Sequence, residues 1–305
     1  PPPAQLPPVD PAKALESIHD WWFSVKDEKI ADYERRTYPP GVLASLSSDY
    51  DYQDGEHRKS WLALFLLGMT HTMGRARPEQ HRGFLDLCEK KGWLNVFAAE
   101  ESSAETWMRI LDEYIDNPVD SGEFSHWMKL FPNIYRVAKY TNEYVEAFLA
   151  VERLRKPFEL SEIVSLKSSV VFQGGGYNAP DLARSLGIGA CFVMRELVRR
   201  KILRQSYAHP HSFVPTKRVR NIVLALGCSD ITDSEGPRNS VHIHRFISEH
   251  LGAERATFEL SFDLPFLFLS EDPALQWELL GREMMNSGQE DFEPGDFVNL
   301  WDVHV

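Results

Sequence analysis

The chain has 305 residues and a formal net charge of −12 at pH 7. Its apolar and charged fractions are those of a globular protein, and no run approaches the ~18 apolar residues that a membrane-spanning helix needs. Three widely spaced cysteines, Cys88, Cys191 and Cys228, argue against a disulfide framework or a zinc cage and predict a cytoplasmic protein.

Residues 1–156 are predicted to form an all-helical domain. Asp10 is placed to cap a helix that has Pro11 at its first position. A further helix has Pro78 just inside its start and Gly92 just past its end, the usual asymmetry of these two residues. Strand-like alternation is absent from this half of the chain, which favours a helical bundle with an aromatic-rich core.

A polar corner between two apolar helices has two interpretations. It contains two histidines, three arginines and one glutamate, namely His71, Arg75, Arg77, Glu79, His81 and Arg82. Such a group is compatible with a small anion-binding or catalytic site. The favoured interpretation is a connection between the two helices stabilised by salt bridges.

The stretch QGGGYNAPDLARSLGIG, residues 173–189, raises the possibility of a phosphate-binding loop. A P-loop requires a lysine and a Ser or Thr after the glycines, and neither is present here. The spacing also differs from the Gly-x-Gly-x-x-Gly of dinucleotide-binding loops. The glycines 174–176 therefore predict a bend before a helix and no nucleotide site.

The residues after this bend have the spacing of a helix–turn–helix. Asn178 is placed to cap a short helix that begins at Ala179. That helix is predicted to end in a tight turn at Gly187, where a left-handed conformation is expected. The run ACFVMRELVRRKIL then predicts a second helix.

This region resembles the winged helix-turn-helix superfamily of bacterial DNA-binding proteins. The resemblance is carried by A-x-x-L-G-I followed by V-x-R-E-L-V-x-x-x-I-L. ILRQSY, the turn AHPH and SFVPT resemble two wing strands, and KRVRNIVLAL resembles the helix that follows the wing. The similarity covers about residues 160–227 and implies a winged helix-turn-helix domain over 157–227.

Residues 228–305 are predicted to form a small acidic α+β domain. A polar linker precedes a helix at VHIHRFISEHLG, and ATFELSFDLPFLFLSED has the character of one or two strands. The fold class is therefore mainly α: an N-terminal helical bundle, a central winged helix-turn-helix and a small α+β C-terminal part. Outside the central region the chain resembles uncharacterised bacterial proteins found near phage-defence genes.

The positive charge is concentrated near the second helix of the central region. The resemblance implies that this helix enters the major groove of double-stranded DNA, with Arg195 reading a base and Lys217, Arg218 and Arg220 contacting phosphates. The alternative for Arg195 is a salt bridge to the acidic C-terminal part. The complete set of candidate DNA-binding residues is Arg195, Arg199, Arg200, Lys201, Arg204, His209, His211, Lys217, Arg218 and Arg220.

Two functions follow from this pattern. The first is a DNA-binding or DNA-sensing, non-catalytic subunit, within a bacterial antiviral defence complex. The alternative is an adaptor in which the winged helix docks a protein partner. No catalytic motif, cofactor or membrane association is predicted, and no metal site either, because His209/His211 and His242/His244 lack Cys, Asp or Glu at ligand spacing.

Overall fold

A computed structural model of the chain describes residues 9–70, 78–99, 105–106, 109–110, 137–155, 179–232 and 236–282. The regular structure in these ranges is helical, with no strand among them, so the prediction of a mainly α protein is confirmed. The helices are numbered here in chain order. They are α1 (Pro11–Thr37), α2 (Gly55–Thr70), α3 (Pro78–Lys90), α4 (Trp93–Ala98), α5 (Thr141–Arg153), α6 (Ala179–Arg199), α7 (Lys217–Ala225), α8 (Gly236–Leu251), α9 (Leu264–Glu271) and α10 (Pro273–Leu280).

Helix α1 is the longest described element and begins as the sequence predicts. The Asp10 side chain accepts hydrogen bonds from the backbone N–H groups of Ala12 and Lys13, at 3.1 and 3.3 Å, which satisfies donors left open at a helix start. Its inner face is fully buried at Ile18 and Trp22. Because α1 packs against α3, α8, α9 and α10, it joins the two ends of the chain.

Helices α2 and α6 cross at very close range. A Cβ atom built on Gly189 would lie 2.5 Å from the carbonyl oxygen of Gly68, and one built on Gly68 would lie 2.9 Å from the carbonyl oxygen of Gly189. Both distances are below a normal contact, so the crossing requires glycine on both helices. Around it, α2 is buried continuously from Trp61 to Met69.

The prediction of a helix–turn–helix in this region is wrong. Helix α6 continues from Ala179 to Arg199, and Gly187 is part of it instead of a left-handed turn. The glycines of LGIG are typical of a helix end, yet Gly189 lies within α6. Glycine is required at this position because α2 occupies the space that a side chain would need. Burial on almost every side from Ala190 to Val198 supports the helix through this segment.

The predicted wing strands are also absent from the described segment 201–216, which contains a 3₁₀ helix, Ser206–His211. Buried side chains hold this segment. Ser240 Oγ accepts from the N–H of Phe213 at 3.1 Å and donates to the carbonyl of Pro210 at 2.9 Å. These bonds take the place of the strand pairing that the resemblance to a winged helix implied. Helix α7, predicted to follow the wing, is present and begins after Thr216 as its cap.

The strands predicted within ATFELSFDLPFLFLSED are replaced by a 3₁₀ helix, Arg255–Thr257, an irregular turn and helix α9. A short apolar run fits a buried strand or a buried helix equally well, and here Pro265 lies in the first turn of α9, where proline is tolerated. The residues before α9 have left-handed backbone angles, with φ of 45° at Phe258 and 47° at Phe262.

One hydrophobic core contains side chains from all three predicted domains, including Trp22, Phe148, Phe192 and Phe266. The boundary placed after residue 156 lies outside the described residues, and the helices on either side of it pack together through α2, α5 and α6. Among the helices that the structure describes, none combines the length and the apolar character required to cross a bilayer.

Replacing Gly189 with alanine is expected to destabilise the protein by about 1–3 kcal/mol, because overpacking forces α2 and α6 apart. Urea unfolding measures this change. Gly55→Ala is the matched control, since a Cβ atom at this first residue of α2 would have no neighbouring atom within 4 Å. Equal stability of the two variants would contradict the close crossing.

Candidate functional site

The arginine predicted to read DNA lies in the protein interior. Arg195 is 2% exposed, and its guanidinium contacts Asp263 through Nη1 at 2.6 Å and Glu196 through Nε at 3.1 Å. It also donates a hydrogen bond to the hydroxyl of Tyr33 on α1. This enclosure excludes Arg195 from the groove of a duplex in the described conformation, so its assignment as a base-reading residue is wrong. The alternative, a salt bridge to the acidic C-terminal part, is confirmed.

The next two arginines, Arg199 at the end of α6 and Arg200 directly after it, extend the same network. Arg199 Nη2 lies 2.6 Å from Glu196 and also donates to Glu34 on α1. Arg200 is about three-quarters buried and donates to Glu34 at 2.9 Å. Three arginines and three carboxylates therefore meet between α6, α1 and the residue before α9. The buried ion cluster is defined as Arg195, Glu196, Arg199, Arg200, Glu34 and Asp263.

Charge pairing, and not solvent, keeps Glu196 ionised. Burial disfavours its charged form, but Arg199, Arg195 and Arg200 overcome that penalty and hold the pKa of Glu196 well below its usual range. The side chain is fully enclosed. Loss of one of these arginines would leave a buried carboxylate without full compensation, which is among the costlier changes in a protein core.

Asp263 has fewer charged partners than Glu196, and its pKa is shifted in the opposite direction. Its burial raises the pKa of the carboxyl to about 6, although Arg195 and the N–H of Val214 favour the ionised form. The Val214 bond to Oδ1 is 3.1 Å. Asp263 therefore joins α6 to the irregular segment before α7, and it precedes α9 directly.

The remaining candidate cations lie on or near the surface. They are divided between the segment after α6 and helix α7, and do not share one helix that could enter a DNA groove. Lys201 and Arg204 are exposed just after α6, and the N–H of Arg204 binds Glu152 of α5 at 3.0 Å. Three others belong to α7: Lys217 and Arg220 are partly buried, and Arg218 pairs with Glu271 at 3.3 Å. Arg220 also donates to the carbonyl of Thr232 at 3.1 Å.

The two candidate histidines, His209 and His211, lie near a third histidine, His244, which is also partly buried. His209 and His211 belong to the 3₁₀ helix Ser206–His211, and both are partly buried. Burial lowers the pKa of each. His244 on α8 has its pKa lowered to about 4 by burial and by the proximity of His209 and His211. The sequence predicts the first two at a wing tip near phosphates, and the structure instead places His209 and His244 beside buried aromatic rings.

The polar corner of α3 fits the salt-bridged interpretation where it is described. Glu79 pairs with Arg36 of α1, and Arg82 donates to the carbonyl of Arg35 and pairs with Asp86 at 3.3 Å. Residues 71–77 lie outside the described part of the chain, as does the triple glycine 174–176. Among the described residues, no three His, Cys, Asp or Glu side chains meet as metal ligands would.

A second candidate site is a surface on α10. Trp277 is 55% exposed, whereas its neighbour Gln276 is buried and donates to the carbonyl of Leu269 at 2.9 Å. This bond fixes the rotation of α10, so that Trp277 points outward together with Glu278. No motif in the sequence singled out Trp277, since its helix PALQWELL is mostly apolar.

Comparison with known protein families, with curated proteins and with solved structures finds no match to this chain.

Arg195→Ala is expected to lower the free energy of unfolding by about 3–5 kcal/mol, because it leaves Asp263 and Glu196 buried without their shared partner. Arg204→Ala, at the exposed end of the same basic run, should change it by no more than about 0.5 kcal/mol. Denaturant unfolding of both variants makes the comparison. A small effect of Arg195→Ala would show that the cluster does not stabilise the fold.

Proposed function

We propose that this protein is a non-catalytic adaptor that binds a basic protein partner through α10. The observation that carries the proposal is the exposed Trp277, held outward on a helix of fixed orientation. Tryptophan is enriched among the residues that dominate binding energy at protein interfaces. An exposed indole on an ordered helix is suited to fill a partner's pocket without a large loss of conformational freedom.

The helix is ordered at both ends. Asp272 caps it by accepting from the N–H of Leu275 at 3.0 Å, and Gly281 ends it in a left-handed conformation with φ of 66°. Leu275 and Leu279 pack against the core from the inner side. A rigid presentation of this kind reduces the entropy cost of binding.

Charge indicates the chemistry of the partner. Asp272 and Glu278 are exposed on either side of Trp277, and the whole chain carries −12. An acidic surface of this type attracts basic partners and raises their association rate. We therefore infer a partner with an apolar pocket rimmed by Lys or Arg.

The alternative, binding of double-stranded DNA, is less well supported by the geometry. Arg195, Arg199 and Arg200 are paired inside the buried ion cluster, so their charges are already compensated within the chain. Affinity for DNA depends on cations that can replace counterions at phosphates. Of the predicted set, Lys201 and Arg204 are the exposed side chains.

A photo-crosslinking residue at position 277, introduced in the native host, identifies the partner, and calorimetry with the purified partner then tests the contact. Trp277→Ala is expected to weaken binding about 30-fold or more, the loss typical of a dominant interface side chain (about 2 kcal/mol). Tyr52→Ala is the matched control, because Tyr52 is an equally exposed aromatic residue, 54% exposed, on a different part of the chain. Its affinity should remain that of the wild type.

Duplex DNA titrated at two salt concentrations distinguishes the two functions. The adaptor proposal predicts no binding above that of another protein of similar acidity, even at low salt. Tight binding that weakens steeply with salt, and that is reduced by Lys201→Ala with Arg204→Ala, would overturn it in favour of DNA recognition.

A further inference from the structure

A run of left-handed residues without glycine precedes α9. Phe258, Glu259 and Leu260 have φ of 45°, 47° and 72°, and Phe262 has φ of 47°. Each such residue is disfavoured by a factor of about 5–30 relative to ordinary backbone. Conformations of this kind persist only where the surroundings hold them, and they are frequent in segments that switch. The strained turn is defined here as residues 258–262.

Buried aromatic rings hold the strained turn in place. Phe258 and Phe262 are fully buried. Phe258 contacts Phe266 edge-on, with ring centroids 5.4 Å apart, and Phe262 contacts Phe213 in the same manner at 5.5 Å. Glu259, between the two anchors, is exposed and pairs with Lys26 of α1.

Two histidines contact the rings within and against the strained turn, and a third lies near them. The His209 ring meets Phe262 edge-on, with centroids 5.8 Å apart, and the His244 ring meets Phe213 at 5.9 Å. His211 lies in the same 3₁₀ helix as His209 and acts electrostatically on His244. Charge on His209 or His244 would be placed against an aromatic ring, and charge on His209 or His211 would act on His244.

We propose that this region is an acid-sensitive switch, in which protonation of His209, His211 and His244 opens the strained turn and the adjoining segment 206–216. The inference goes beyond the adaptor function and does not depend on it. Charging the imidazoles opposes their burial and adds mutual repulsion. The backbone strain stored in residues 258–262 favours opening in the same direction, so a modest loss of anchoring is sufficient.

The sign of the pH dependence follows from the pKa values. Each histidine has a pKa below its usual 6.5 in the folded protein, and that of His244 falls to about 4. The folded form therefore binds fewer protons than the open form. Its stability is complete above about pH 6.5 and is lost as the pH falls toward 4.

The other charged groups around the site limit this effect without reversing it. Asp263, with a pKa raised to about 6, stabilises the folded form as the pH falls below 6, which opposes the histidines. Glu196 stays ionised and Arg195 stays charged in this window, whereas Cys191 and Tyr33 titrate above neutrality. The charged and titratable side chains at the edge of the site include His242 and Arg245 on α8, Lys26 and His19 on α1, and Lys201 after α6; the His19 ring lies 5.9 Å from that of Phe258. As the pH falls, three histidines therefore destabilise the folded form and one carboxyl stabilises it.

Hydrogen exchange at pH 5.0 and 7.5, corrected for the intrinsic rate, tests the switch. In the wild type, peptides covering 206–216 and 255–263 should open at least tenfold more often at pH 5.0, while the α2 peptide 61–69 stays protected. The triple variant His209→Gln, His211→Gln, His244→Gln should lose this difference. His250→Gln is the control and should retain the difference, because His250 lies at an exposed position of α8, the helix that contains His244. His244→Gln alone should reduce the difference in opening between pH 5.0 and pH 7.5. This single variant is the test if the triple variant does not fold.

Exchange that is independent of pH in the wild type, or unchanged in the triple variant, overturns the proposal. Equal exposure of the α2 peptide at pH 5.0 also overturns it, because the acid effect is then global unfolding.

The role of backbone strain is tested separately at pH 7.5. Glu259→Gly and Glu259→Ala both remove the Lys26 pair, but only glycine adopts φ of 47° without strain. The glycine variant should open its 255–263 peptide several-fold less often than the alanine variant. Equal opening of the two would show that strain does not contribute to the switch.

Discussion

The contact between Arg195 and Asp263 is the constraint on which most of this structure depends. It joins the C-terminal part of α6 to the residue that precedes α9, across 68 positions of sequence. Asp263 also accepts the N–H of Val214, so the segment that links α6 to α7 is fixed by the same carboxylate. Tyr33 completes the arrangement from α1. Four parts of the chain are thereby positioned by one buried ion pair, whose desolvation makes the loss of either partner costly.

Some elements around this pair could be predicted from the sequence and others could not, and the difference depends on whether adjacent residues or distant ones determine them. Asp10 and Pro11 predict the start of α1 correctly, because capping is decided by adjacent residues. Thr216 caps α7 in the same manner, and this helix lies where the resemblance implied one. The turn predicted at Gly187 is wrong, and α6 continues through it to Gly189 and beyond. A glycine that permits a turn and a glycine that permits a close helix crossing are identical in sequence. Only the position of Gly68 distinguishes the two.

The candidate site shows the same limit. That Arg195 pairs with an acid of the C-terminal part was an alternative available from charge alone, but no local pattern reveals whether an arginine faces solvent or the core. The strained turn had no local signal at all, since Phe258, Glu259 and Leu260 rarely adopt left-handed angles. Long-range packing selects that conformation. The outward position of Trp277 had no local signal either, because the buried bond from Gln276 to Leu269 sets the rotation of α10.

The charged and aromatic side chains of the two candidate sites form an inward set and an outward set. Three arginines of the basic run that suggested DNA binding, Arg195, Arg199 and Arg200, are directed inward, where they stabilise the contacts between α6, α1 and the residue before α9. Acidic side chains and one aromatic residue are presented outward on α10. The histidines lie between these two regions of the chain, against the aromatic anchors of a strained turn. This arrangement connects the adaptor proposal, which concerns the surface, with a pH response that originates in the core.

A double-mutant cycle between Arg195→Met and Asp263→Leu is the sharpest test of the role of this ion pair. Unfolding free energies of the wild type, both single variants and the double variant give the coupling between the two side chains. We predict a coupling of about 2–3 kcal/mol, with the double variant more stable than the sum of the single losses implies, because neither charge is left buried alone. Additive losses, with a coupling near zero, would contradict the claim that this pair organises the fold.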